Sequence, residues 1–119
     1  MPDYEFYVGI DWGTETHQVW VADAGGRRAD EQVIAHSGPG LASLVVHLRR
    51  VGGEPDRMAV AIEVPRGAVV DALLEQGYHV FTLNPKQLDR FRDRHTVAGA
   101  KDARRDAFVL ADALRTARW

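Results

Sequence analysis

The hydrophobic period first changes near residue 37, and that change limits the available folds more than any other feature. Before it, apolar residues recur every second position. Phe6, Val8 and Ile10 alternate through residues 4–11, Val19 and Val21 through 17–22, and a third strand reads over 31–36. Gly25-Gly26 is a turn signal between the second and third of these. Strands so close together pair most simply as an antiparallel meander.

After residue 37 helical and strand patterns alternate. Leu41, Leu44, Val45 and Leu48 fall at i, i+3, i+4 and i+7, a helix that Gly52-Gly53 ends. MAVAIE (58–63) is a nearly continuous apolar run, the mark of a central strand buried on both faces. Residues 67–76 read as a helix stopped by Gly77, and 78–83 as a strand. Asn84-Pro85 opens a helix to about residue 94, and a last helix runs from about residue 102. The order βββαβαβαα predicts an α/β fold, a mixed five-stranded sheet with its three antiparallel strands first and helices against it.

At 119 residues with 45% hydrophobic and 27% charged content, the chain is expected to form one soluble domain, residues 1–119. It has no cysteine, which excludes disulfides and thiolate metal sites. No run approaches membrane-spanning length, and no leader pattern opens the chain, so a cytoplasmic location is expected, with no membrane partner. The last helical pattern runs to Trp119 without a stop signal, as in a piece of a larger protein.

The formal net charge of −2 conceals an asymmetry. Residues 86–105 hold seven basic side chains (Lys86, Arg90, Arg92, Arg94, Lys101, Arg104, Arg105) against three acidic ones, a net of +4. A local positive block on an acidic domain suits a polyanion docked on one face, although each arginine alone could equally serve a surface ion pair.

Three acids stand where a purely structural role explains them poorly. Asp11 ends one apolar strand and Glu63 another, and a carboxylate at the tip of a buried strand is costly to desolvate without a partner. Asp106 adjoins the apolar stripe of the last helix. If the sheet brings those two strand tips together and the last helix crosses them, three carboxylates converge. Ionised carboxylates persist together only around a cation, and an all-oxygen set favours Mg²⁺ or Mn²⁺, a chemistry suited to phosphodiester cleavage. At about 100° per residue, positions 103, 107, 110 and 114 form the inward stripe, with Asp106 at its edge and Asp102 turned further out. The position aimed most directly at the sheet is Ala103, which has no ligand atom. Asp102 has a simpler role available as a helix cap.

VGID, AIEVPRG, LNPKQLDRFRDR and GAKDARRDAFVLADALR together resemble the N-terminal domain of the DEDD-type insertion-sequence transposases, relatives of the pilin-gene invertase. The resemblance spans nearly the whole chain. It implies a RuvC-like, ribonuclease-H-like fold and a DNA recombinase using Mg²⁺. It implies catalytic acids at Asp11, Glu63 and Asp106, all three metal ligands, and a further acid at position 103. The chain departs from the family at Ala103, which implies an acid lost there, natural or introduced, with Asp102 as the alternative donor. The family further implies a structured non-coding guide RNA, a homo-oligomeric full-length protein and a C-terminal domain carrying a serine nucleophile, which is absent here. The fragment alone is then expected to be inactive, and the full protein to act on the bacterial nucleoid. Nucleic-acid phosphates would meet Arg66 and the basic residues of 86–105. Two other readings compete. GIDWGTETH resembles the first phosphate loop of actin-like sugar kinases, which implies ATP binding. A domain short of one acid could also serve only to dock nucleic acid and assemble.

Overall fold

The computed structural model describes residues 4–64, 66–83 and 103–116. The expected helix over 85–94 and the start of the last one lie outside them. Five strands form one sheet in the order β3-β2-β1-β4-β5. β1 (Phe6–Asp11), β2 (Thr16–Asp23) and β3 (Arg28–Ala35) make the antiparallel meander, while β4 (Met58–Ile62) lies parallel to β1 and β5 (His79–Thr82) parallel to β4. α1 (Gly38–Gly52) and α2 (Ala68–Glu75) cover one face, and α3 (Ala103–Thr116) the other. This is the mixed, meander-first sheet expected.

The two faces follow from strand alternation. Val8, Ile10, Val19, Val21, Val60 and Ile62 pack with Leu44 and Leu48 of α1 and Val69 and Leu73 of α2. Ala59 and Ala61 face the other way and pack with Val109, Leu110, Ala113 and Leu114 of α3. Every residue of β4 is fully buried, as a strand covered on both faces must be.

Boundaries differ from the sequence reading where local chemistry overrides periodicity. α1 begins three residues earlier than its first apolar position because Ser37 caps it: the Gly40 amide donates to Ser37 Oγ at 3.1 Å, and a proline sits in the first turn. β3 begins at Arg28 rather than residue 31. The Asp23 carboxylate accepts from the Gly25 and Arg27 amides at 3.0 and 2.9 Å and closes the hairpin three residues sooner. The buried arc of α3 is also broader than the predicted stripe, for Val109 and Ala113 join Ala107, Leu110 and Leu114 in the interior.

Candidate metal and nucleic-acid site at the tips of β1 and β4

The parallel register of β1 and β4 pairs Phe6 with Met58 and ends with Ile10 beside Ile62. One residue further on, Asp11 and Glu63 stand at neighbouring strand ends. Alternation puts Asp11 on the face of Tyr7 and Gly9, and carries the face of Ala59 and Ala61 to Glu63. Both acids therefore belong to the α3 side of the sheet, and both are half-buried.

Gly9 sets how closely α3 approaches. A Cβ there would run into the Ala107 carbonyl and lie 2.7 Å from the Ala111 amide nitrogen, so helix backbone rests on strand backbone. At the other end of the helix the Arg115 guanidinium lies against Gly26, in the hairpin beyond the start of β1. α3 thus runs antiparallel to β1, with its first turn at the strand tips. Asp106, half-buried and next to Ala107, lies in that turn, and Ala103 opens the helix.

Asp11, Glu63 and Asp106 accordingly come from three elements to one end and one face of the sheet. Among the described residues no group of three or more His, Asp or Glu side chains stands close enough to hold a metal ion. The acids share a location and a donor chemistry that fits a hard divalent cation, without forming a closed ligand set. Of the basic residues expected to meet nucleic acid, Arg66 is exposed just beyond Glu63 and Arg105 is half-buried beside Asp106. Lys86, Arg90, Arg92, Arg94, Lys101 and Asp102 lie outside the described residues, as do the side chains of Ala103 and Arg104.

Beside Asp11 the β1–β2 turn encloses an open depression of about 300 Å³, lined by Asp11, Gly13, Thr14, Glu15, Thr16 and Gln18. Two carboxylates and no basic side chain among these residues make it a poor cradle for bare phosphate.

Behind the turn, on the α1/α2 face, lies an aromatic cluster that sequence reasoning missed. His17 is fully buried. The Gly13 amide donates to His17 Nδ1 at 3.1 Å, so in the neutral ring the proton sits on Nε2, which donates to His36 Nδ1 at 2.9 Å. The Trp12 ring is tilted over His17 at 4.4 Å between centroids and meets His36 at 5.2 Å. No local spacing marks this pair, because β2–β3 pairing alone brings His36 to His17. The one hint was a histidine at an inward strand position.

Burial, and then the neighbouring His36, hold the His17 pKa below the ordinary 6.5. The folded chain therefore refuses a proton that the unfolded chain accepts. Stability is full above about pH 6.5 and declines as pH falls from there towards the lowered folded value. Urea titrations between pH 5 and 8 are expected to show this decline, and His17→Asn to flatten it. A wild-type profile without slope in that range would contradict the assignment.

The transposase family model DEDD_Tnp_IS110 matches residues 8–118. The chain belongs to this transposase family. A Sinorhizobium fredii protein bearing the provisional name transposase y4uE is 53% identical over 112 residues, covering 92% of this chain and 31% of the relative. The provisionally named mini-circle transposase for IS117 of Streptomyces coelicolor is 36% identical over 111 residues, covering 92% of this chain and 27% of that protein. The chain thus spans less than a third of the curated relatives it matches. Among solved structures, T. thermophilus RuvC in complex with a Holliday junction substrate superposes with a TM-score of 0.63 at 18% identity, covering 91% of this chain and 90% of RuvC. The large terminase nuclease of thermophilic phage G20c gives 0.54 at 21% identity, covering 78% of this chain and 51% of the nuclease. The fold of this transposase domain is RuvC-like. The family match also contains the sugar-kinase-like stretch 9–17, which leaves that reading without separate support.

Proposed function

We propose that this chain is the metal-dependent DNA-cleaving domain of an insertion-sequence transposase, crippled at position 103. The observation that carries the reading is the junction of β1, β4 and α3: two carboxylates at adjacent parallel strand tips, with the helix bearing the third starting over them. Asp11, Glu63 and Asp106 would hold Mg²⁺ or Mn²⁺, and Ala103 occupies the place of a further acid. The bound metal would activate the attacking oxygen and neutralise the leaving one. The protein's part is to hold three half-buried carboxylates in place and to bring a phosphodiester up to them.

Arg66 and Arg105 flank the acids and suit backbone phosphates, which position a nucleic acid without reading its sequence. Lys86, Arg90, Arg92, Arg94, Lys101 and Arg104 join them on charge and sequence position. The two-thirds of the relatives' length beyond this match is where a serine-bearing domain would lie. A guide RNA, homo-oligomeric assembly and action on bacterial DNA in the cytoplasm belong to that whole protein. Among the described residues no helix is long and apolar enough to cross a membrane.

Calorimetric Mn²⁺ titration of this chain and of Ala103→Asp tests the site. The variant is expected to bind at least tenfold tighter, since a fourth hard oxygen ligand completes the set. Equal affinity would mean that Asp102 or another group already fills the place. No binding to either would sink the metal reading for this domain.

A further inference from the structure

We propose that His17 is a positioning residue for this site: with His36 and Trp12 it clamps the β1–β2 turn, and through that turn the backbone carrying Asp11. Its functional meaning rests on the metal reading above; the clamp itself stands on hydrogen-bond geometry.

The turn is tight and gripped from one side. A Cβ on Gly13 would run into the Thr16 carbonyl, so the chain closes directly on itself there. The Gly13 amide is satisfied by the His17 ring, at 3.1 Å. A second tie comes from the backbone, where the His36 amide donates to the Glu15 carbonyl at 2.8 Å. Both ties lead to the end of β3, so the residues immediately after Asp11 are anchored to the far strand of the meander.

Direction matters in this chain of bonds. An amide donor at Nδ1 forces the His17 proton onto Nε2, and His36 Nδ1 must then accept. His36 thereby orients the ring that orients Gly13, as an outer carboxylate or carbonyl orients a ligand histidine. A fully buried imidazole facing a turn is expensive where valine would fill the same inward strand position. Holding the turn accounts for it.

Trp12 extends the grip to the second acid. It directly follows Asp11, stacks on His17, and lies against Gly67, where a Cβ would sit 3.6 Å from its ring. Gly67 has a φ of 124°, is four residues past Glu63, and immediately precedes α2. One aromatic cluster thus supports both loops that leave the acid-bearing strand tips.

Two substitutions separate positioning from mere packing. His17→Asn keeps an acceptor where Nδ1 stands, whereas His17→Phe keeps the ring and removes the acceptor. In amide exchange and ¹H–¹⁵N spectra of this chain, His17→Phe is expected to lower Gly13 protection at least tenfold and to shift the Asp11 amide. Val60 in β4 should remain unchanged, and His17→Asn should restore Gly13 protection. Long-range ¹⁵N spectra should show the wild-type His17 proton on Nε2. The proposal is overturned if His17→Phe leaves Gly13 and Asp11 as they were, if asparagine does not rescue, or if the proton sits on Nδ1. Should His17→Phe not fold, His36→Ala at an exposed position is expected to loosen Gly13 protection with the sheet intact, and no loosening overturns the clamp. Mn²⁺ affinity in the Ala103→Asp background is read separately. It should fall about tenfold with His17→Phe and hold with His17→Asn. Undiminished affinity in His17→Phe overturns the positioning role, while absence of binding in the parent defeats the metal reading and leaves the exchange data to decide the clamp.

Discussion

Gly9→Ala is expected to destabilise the domain by about 3 kcal/mol or more, at the upper end of overpacking effects. The added Cβ has nowhere to go: it meets the Ala107 carbonyl and the Ala111 nitrogen, which are helix backbone and cannot rotate aside. Either α3 lifts off the sheet or β1 bends. Lifting the helix separates Leu110 and Leu114, both about 1% exposed, from the interior they fill. For a domain of this size the midpoint of thermal unfolding should fall by roughly 10 °C. Gly38→Ala is the matched control, because a Cβ there meets nothing within 4 Å. It should change stability by less than about 0.5 kcal/mol. Similar melting of the two variants would mean that α3 does not rest on Gly9.

Asp11→Asn is expected to separate stability from metal binding. The amide keeps the carboxylate's shape and loses its charge, so without metal the fold should survive with at most a modest change in stability. Metal behaves in the opposite way. In the Ala103→Asp chain, Mn²⁺ at one hundred times its dissociation constant should stabilise the fold by about 2.7 kcal/mol. Adding Asp11→Asn should abolish most of that gain, which thermal melts with and without Mn²⁺ read directly. A metal-induced shift that survives the substitution would place the ion elsewhere and remove Asp11 from the site.

The sequence was most informative where one force dominates. The run MAVAIE has no polar residue before Glu63, and β4 is buried on both faces. The alternation of Phe6, Val8 and Ile10 likewise declares the inward face of β1. Chain order, in contrast, cannot say that β4 enters beside β1. The meeting of Asp11 and Glu63 is a fact of sheet topology, reachable from sequence only as a condition or through family resemblance. Polar chemistry displaced element ends, at Ser37 and at Asp23, because a side-chain oxygen can start or stop an element that hydrophobic spacing does not mark. His17 and His36 escaped for a different reason. Nineteen positions apart, they meet only through strand pairing. Gly9 reads as an outward filler in an alternating strand, and only the helix lying on it shows why no side chain fits.

The antiparallel course of α3 over β1 also carries an electrostatic consequence. The peptide dipoles of a helix leave roughly half a positive charge at its N-terminus. α3 aims that end at the tips of β1 and β4, and α2, starting just beyond Glu63, begins at the same pole of the domain. Two helix N-termini thus face the end where three carboxylates gather, each able to favour a nearby anion by about 0.3–1 kcal/mol. Run in the reverse sense, the same helix packed on the same glycine would present its negative end to those acids. The winding of the fold therefore turns positive helix ends, rather than negative ones, towards the pole where the acids gather, before any cation or arginine is counted.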